Sequence, residues 1–174
     1  MVEKLDYVIE LPGLRYDKVL LSELAGDDTL PWVQWASPSG VTAKHKTCLV
    51  RDMPSHRQRL FVDMMGMFDG SIGITIDDIS VVNFPPSYSL PPHVDPVRSA
   101  AVIIPLDPPN PNPIYWEENG TRVFEQVYRM PTIINVQRMH GVMTGDANRL
   151  NIHIDIMRPW EFLVALHEGS TLLV

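Results

Sequence analysis

The 174-residue chain holds one cysteine, Cys48. A lone thiol excludes an intrachain disulfide and any metal cluster built on cysteine alone. Basic residues are also scarce, with 14 Lys and Arg against 21 Asp and Glu, a formal net charge of −7. Gripping a phosphate backbone takes clustered positive charge, so nucleic acid is not an expected partner despite a short basic stretch at Arg51, His56, Arg57 and Arg59. No apolar run approaches the ~20 residues of a membrane-spanning helix. The longest, residues 100–106, has the length of a strand. The first ten residues carry Glu3, Lys4 and Asp6 and lack the apolar segment of a leader. These absences lead to the expectation of a cytoplasmic protein with no membrane partner.

What the sequence does have is proline, 16 in all, which favours turns and short strands over a helical bundle. Two helices are expected early, over residues 16–24 and 55–68, with Ser55 as a candidate cap of the second. Leu60, Phe61, Met64, Met65 and Phe68 recur at helical spacing there, and the methionines read as core filler. A short β run is expected at 47–50. From residue 72 onward the pattern becomes short β runs at 79–84, 99–106, 114–116, 122–128, 132–136 and 150–157, separated by turn signals such as Asn119-Gly120. Closely spaced short strands predict a sandwich or barrel. The organisation expected is one domain, 1–174, with an N-terminal α/β supporting segment 1–70, a β core 71–158 and a C-terminal packing segment 159–174, whose stretch 160–166 reads equally as helix or strand. In the last β run, Leu150, Ile152, Ile154 and Ile156 share one face and Arg149, Asn151, His153 and Asp155 the other. The first face packs, and the second meets solvent or lines a polar cavity.

Candidate chemistry begins at His93-Val94-Asp95, because i and i+2 of an extended chain project to one side and can converge on one ion. Such a pair is unspecific alone, and His153-Asp155 repeats it. The first pair is distinguished by His140, which follows the 132–136 run, and by Arg149 at the start of the next strand. Two histidines and a carboxylate on one face of an iron leave the opposite positions open, the facial arrangement of non-haem Fe(II) oxygenases. A guanidinium fork nearby suits a carboxylate.

These segments resemble the 2-oxoglutarate/Fe(II)-dependent oxygenases. ISVVNFPPSYSLPPHVD (79–95) is similar to the strand and loop leading into their metal motif, and IINVQRMHGV (133–142) with NRLNIHID (148–155) to their distal histidine and cosubstrate strand. RSAAVIIPL (98–106) resembles the strand that follows the metal pair in the aspartyl/asparaginyl β-hydroxylase-like and proline-hydroxylase-like branches. The resemblance spans about residues 77–157. It implies a mainly β (α+β) fold with flanking helices around a double-stranded β-helix, a jelly-roll, cupin-like core. It implies Fe(II) on His93, Asp95 and His140, with 2-oxoglutarate and O2 as cosubstrates and Arg149 as the cosubstrate anchor. Asn151 and Arg98 are further candidate cofactor-binding residues; Arg98 reads equally as a cation paired with a nearby acid. The implied activity is hydroxylation of an amino acid or a peptide side chain of Asp, Asn or Pro type. The alternative is a non-catalytic cupin-like module that binds a metal or a small acid. Phe84 stands where the prolyl-hydroxylase-like pattern has tyrosine, and Asn151 where a small hydroxyl residue is common. His153 reads as a satisfied structural histidine, Trp32 and Trp35 as packing, Cys48 as inert, and the segments 85–92 and 107–113 as borders of the cavity mouth. The oligomeric state is not legible.

Overall fold

The computed structural model describes residues 3–36, 42–106 and 113–173. Among the described residues, eleven strands and three α-helices follow one another as β1 (Val8–Glu10), α1 (Lys18–Ala25), β2 (Val33–Ala36), β3 (Thr42–Leu49), α2 (Ser55–Met65), β4 (Ile79–Phe84), β5 (Ser89–His93), β6 (Ala100–Pro105), β7 (Ile114–Glu118), β8 (Thr121–Gln126), β9 (Thr132–Asn135), β10 (His140–Met143), β11 (Arg149–Ile156) and α3 (Trp160–Glu168). They form two antiparallel sheets, one in the order β1-β9-β6-β11-β4-β3-β2 and the other β5-β10-β7-β8. Successive strands from β4 onward alternate between the sheets, apart from the β7–β8 hairpin, which gives a jelly-roll β-sandwich with helices on its outer face.

Strand β11 lies inside the large sheet and shows why both sheet faces are covered. Ile152, Ile154 and Ile156 enter the core that α1, α2 and α3 complete with Leu21, Phe61, Met64 and Leu163. Each fully buried aliphatic side chain is worth about 1.5–3 kcal/mol. The opposite face of the large sheet meets the small sheet through a second core of Val8, Ala101, Ile103, Ile134, Trp116 and Val142. The Trp116 indole N–H donates to the Asn135 carbonyl at 3.0 Å and ties the sheets together. The β7–β8 hairpin turns at Asn119 (φ 52°) and Gly120 (φ 75°), left-handed values that an Asn-Gly pair accepts.

Several local expectations need correction. Helix α2 carries no side-chain cap; Pro54 takes the cap position, its carbonyl accepting from the Arg57 and Gln58 amides, and Ser55 falls within the first turn. Residues 160–166 are helical, entered through Pro159. The segment 85–92 is partly strand. Its prolines are tolerated because β5 is a sheet edge and because its pairing with β10 shifts register between His140↔His93 and Val142↔Leu90, which places one extra residue on β5. His140 opens a further strand, β10, that the sequence pattern does not mark. Most of 107–113, read as a mouth segment, lies outside the described residues. Trp32 packs against the helical core, as expected, and its indole donates to the Asp27 carbonyl at 3.1 Å; nothing is described of the Trp35 side chain. Cys48 is fully buried, its thiol pushed up to about 11 mainly by that burial. No helix among the described residues is long and apolar enough to cross a membrane.

Candidate metal centre and anion pocket

The bulge in β5 has a direct consequence: it sets His93 opposite His140 across the β5–β10 pair. The two imidazoles lie 4.4 Å apart between centroids. Asp95, in the turn after β5, brings its Oδ1 to 3.4 Å from His93 Nε2. One ligand atom from each of His93, Asp95 and His140 lies within 4.8 Å of the others.

Each histidine is oriented in the same way. His93 Nδ1 meets the Pro91 carbonyl at 2.9 Å, and His140 Nδ1 meets the Arg138 carbonyl at 3.0 Å. A carbonyl only accepts, so Nδ1 carries the proton and Nε2 is left as the lone-pair atom, the arrangement a metal ligand requires. His93 Nε2 then faces a carboxylate oxygen. Two electron-rich atoms in contact need a positive centre between them, either a proton or a metal ion. Burial disfavours the charged imidazole of His93, but the Asp95 carboxylate and the Pro91 carbonyl outweigh it and raise its pKa. Burial also works against the Asp95 carboxylate, yet His93 and Arg98 hold it well below the usual range. His140 is lowered to about 4, chiefly by burial and then by the neighbouring His93. The donor set of two neutral imidazoles and one carboxylate oxygen fits a divalent transition metal.

Arg98 is paired with two acids. Its Nε donates to Asp95 Oδ2 at 2.6 Å and its Nη1 to Asp155 Oδ1. Of its two readings, pairing with nearby acids is the one the geometry supports. Gln137, between β9 and β10, donates from its side-chain amide to the carbonyls of Asp95 (2.9 Å) and Arg98 (2.6 Å). Local patterning gives no sign of the roles of Asp155 and Gln137, because their partners are about 40–60 residues away in sequence.

The polar face of β11 points between the sheets, with Arg149 and Asn151 buried there. Arg149 lies opposite Phe84 and Asn151 opposite Val82 on β4. Arg149 makes a long 3.5 Å contact to the Met143 carbonyl and stacks its guanidinium 4.5 Å from the Tyr128 ring. No carboxylate among the described residues pairs with it. Burial lowers its pKa. The Tyr128 hydroxyl is pushed up to about 12 by burial, against the pull of Arg149, so it stays neutral. His153 Nε2 is buried with no hydrogen-bond partner among the described residues, contrary to the expectation of a satisfied histidine. On the same side, His45 of β3 packs against Phe84 in a tilted contact, 4.8 Å between ring centroids, and its Nδ1 lies 3.2 Å from the Tyr88 hydroxyl. This face therefore holds a buried cation and an orphaned imidazole, a fit for a small anion.

No protein-family model matches the chain, and no curated protein matches it. Solved structures do. An oxidoreductase of the 2OG-Fe(II) oxygenase family from Burkholderia pseudomallei aligns at TM-score 0.54 and 14% identity over 86% of this chain and 84% of that one. The chain has the fold of the 2-oxoglutarate/Fe(II) oxygenases. A prolyl-4-hydroxylase from Pseudomonas putida aligns at TM-score 0.52 and 11% identity, covering 87% of this chain and 92% of its own. A non-haem alpha-ketoglutarate-dependent epimerase, SnoN from nogalamycin biosynthesis, aligns at TM-score 0.52 and 15% identity over 88% and 81%.

Proposed function

We propose that this protein is a 2-oxoglutarate- and Fe(II)-dependent dioxygenase that hydroxylates an amino acid or a peptide side chain. The observation that carries the reading is the pairing, in one inter-sheet space, of a His93–Asp95–His140 donor set with a buried guanidinium, Arg149, that has no carboxylate of its own among the described residues.

His93, Asp95 and His140 would hold Fe(II) through the two Nε2 atoms and Asp95 Oδ1. Bound Fe(II) would couple the oxidative decarboxylation of 2-oxoglutarate by O2 to hydroxylation of a substrate C–H bond. Arg149 would accept the distal carboxylate of 2-oxoglutarate in a fork, with the Tyr128 ring holding the guanidinium in place. Phe84 offers no hydroxyl to that carboxylate, and Asn151, two residues on, keeps an amide donor on the same face. His153 adds a further potential donor between Arg149 and the metal end of β11. The apolar walls, Ile103, Ile134 and Val142, keep the space dry and strengthen these charge-assisted contacts. An Asp, Asn or Pro side chain as substrate is supported by the branch resemblance of residues 98–106 and by the fold shared with the Pseudomonas prolyl-4-hydroxylase. The protein is expected to act in the cytoplasm on a small molecule or a peptide.

Succinate released from 2-oxoglutarate under Fe(II) and air, measured across free amino acids and short peptides, tests the activity. Turnover by wild type that His140→Ala abolishes is the expected result. Metal and 2-oxoglutarate binding with no succinate against any of the panel would favour a non-catalytic cupin-like binder.

A further inference from the structure

The chain Gln137–Asp95–Arg98–Asp155 joins three elements that the proposed metal centre does not itself use. Arg98 lies just before β6, Asp155 near the end of β11, and Gln137 in the turn before His140. Arg98 is 22% exposed and Asp95 15%, so their contact is shielded from water rather than a solvated surface pair. The two oxygens of Asp95 are not equivalent. Oδ2 is taken by Arg98 Nε at 2.6 Å, and Oδ1 faces His93 Nε2 at 3.4 Å. Arg98 is itself fixed from the far side by Asp155.

Building on the metal centre proposed above, we infer that Arg98 is a positioning residue for the Asp95 ligand. It occupies Oδ2, turns Oδ1 toward the two histidines, and so restricts Asp95 to one-oxygen ligation. Asp155 braces Arg98 from β11. Gln137 pins the backbone of the Asp95–Arg98 turn to the segment that leads into His140, so the two arms of the donor set move together. A carboxylate free to bind through both oxygens would take up one more position around the ion. Holding it to one leaves that position for other ligands. The fork of Arg98 suits this task because its separate N–H groups reach two carboxylates at once, which a lysine ammonium on a flexible stem does not reproduce.

The test uses Mn(II) titration of the metal-free protein, with circular dichroism to confirm folding and Co(II) absorption as a report on coordination. Arg98→Ala is expected to weaken Mn(II) binding about 10–100-fold, the range found when partners of metal ligands are removed. It should also alter the Co(II) bands, because Oδ2 is released. Arg98→Lys should recover part of the affinity. Asp155→Asn should cost less than Arg98→Ala and leave the Co(II) bands close to wild type, since the Arg98–Asp95 contact remains. A purely structural ion pair would lower thermal stability while leaving the affinity and Co(II) spectrum of the folded protein unchanged. A folded Arg98→Ala that binds Mn(II) within about twofold of wild type overturns the inference. If Arg98→Ala does not fold, Arg98→Lys decides, and an affinity equal to wild type overturns it. His140→Ala separates the two levels. Binding that depends on His140 but not on Arg98 contradicts only the role of Arg98, whereas binding indifferent to both contradicts the metal centre and this inference with it.

Discussion

The two ends of the inter-sheet space treat charge in opposite ways. At the β5–β10 end, Asp95 is held by His93 and Arg98, Arg98 by Asp95 and Asp155, and each histidine by a backbone carbonyl. Along the face of β11, Arg149 has an aromatic ring and one long carbonyl contact, and His153 Nε2 has no partner among the described residues. At the first end each ionic group has an oppositely charged partner within the protein. The second carries a desolvation cost that no carboxylate among the described residues offsets, which is the condition of a site built for an anion. The contrast predicts that similar substitutions will act differently at the two ends.

The largest effect is expected at the metal end. His140→Ala removes a donor outright and should weaken Mn(II) binding by at least about 100-fold, beyond the usual cost of losing an outer partner. Equal binding in the variant would dissolve the distinction between the ends. Stability of the ligand-free protein sharpens it. Arg98→Met leaves two carboxylates without their cation and should be destabilising by about 3–5 kcal/mol, the typical cost of breaking a buried pair and an upper bound here because the groups are partly exposed. Arg149→Met removes a charge that has no counter-ion and should be neutral or stabilising in denaturant unfolding. Destabilisation of the same size by both would show that Arg149 is satisfied in the free protein.

Acid should bring out a smaller difference. His45 and His140 are both lowered to about 4, mainly by burial. Their unfolded pKa is higher, so the unfolded state takes up protons first. Their contribution to stability is complete above about pH 6.5 and is lost as the pH falls toward 4. His93 runs the other way, since its pKa is raised in the folded protein. Chemical denaturation of the metal-free protein should give lower stability at pH 5 than at pH 7.5, with a shallower loss in His45→Leu. Metal affinity should begin to fall at a higher pH than the pKa of His140 alone would give, because His93 is the ligand that must first shed a proton. The smallest effect is steric. A Cβ on Gly141 would lie 2.5 Å from the Tyr115 ring, so Gly141→Ala should destabilise by about 1–3 kcal/mol through overpacking beside His140, as read by thermal unfolding.

The same contrast bears on what was legible in the sequence. The β11 face could be read, because period-two alternation places Arg149, Asn151 and His153 together whatever the partner strands are. Strand β4 could be read to its ends, as a β-branched run closed by Pro85-Pro86. The metal end was only half visible. His93, Asp95 and His140 stood out as a motif, yet β5 was hidden by Pro91 and Pro92, which are compatible with pairing only at an edge and a bulge. Arg98 kept two readings because its partner Asp155 belongs to a strand 57 residues later, and no local pattern joins them. Asp155 was set aside with His153 as a repeated His-x-Asp pair. Period two puts His153 and Asp155 on one face, but only the tertiary fold sends Asp155 to Arg98 and leaves His153 Nε2 without a partner among the described residues.

A carboxylate ligand is expected to complete the β11 face. Calorimetric titration of 2-oxoglutarate into the Mn(II)-loaded protein, without O2, measures it most directly. Removing one partner of a desolvated charge pair costs about 2–5 kcal/mol. With about 1.4 kcal/mol for each tenfold in affinity, Arg149→Ala should weaken 2-oxoglutarate binding roughly 30-fold or more while Mn(II) affinity stays close to wild type. Arg149→Lys should restore only part of it, since an ammonium lacks the planar fork. Wild-type affinity for 2-oxoglutarate in Arg149→Ala would contradict the claim, removing the cosubstrate from this face and the main argument for an oxygenase.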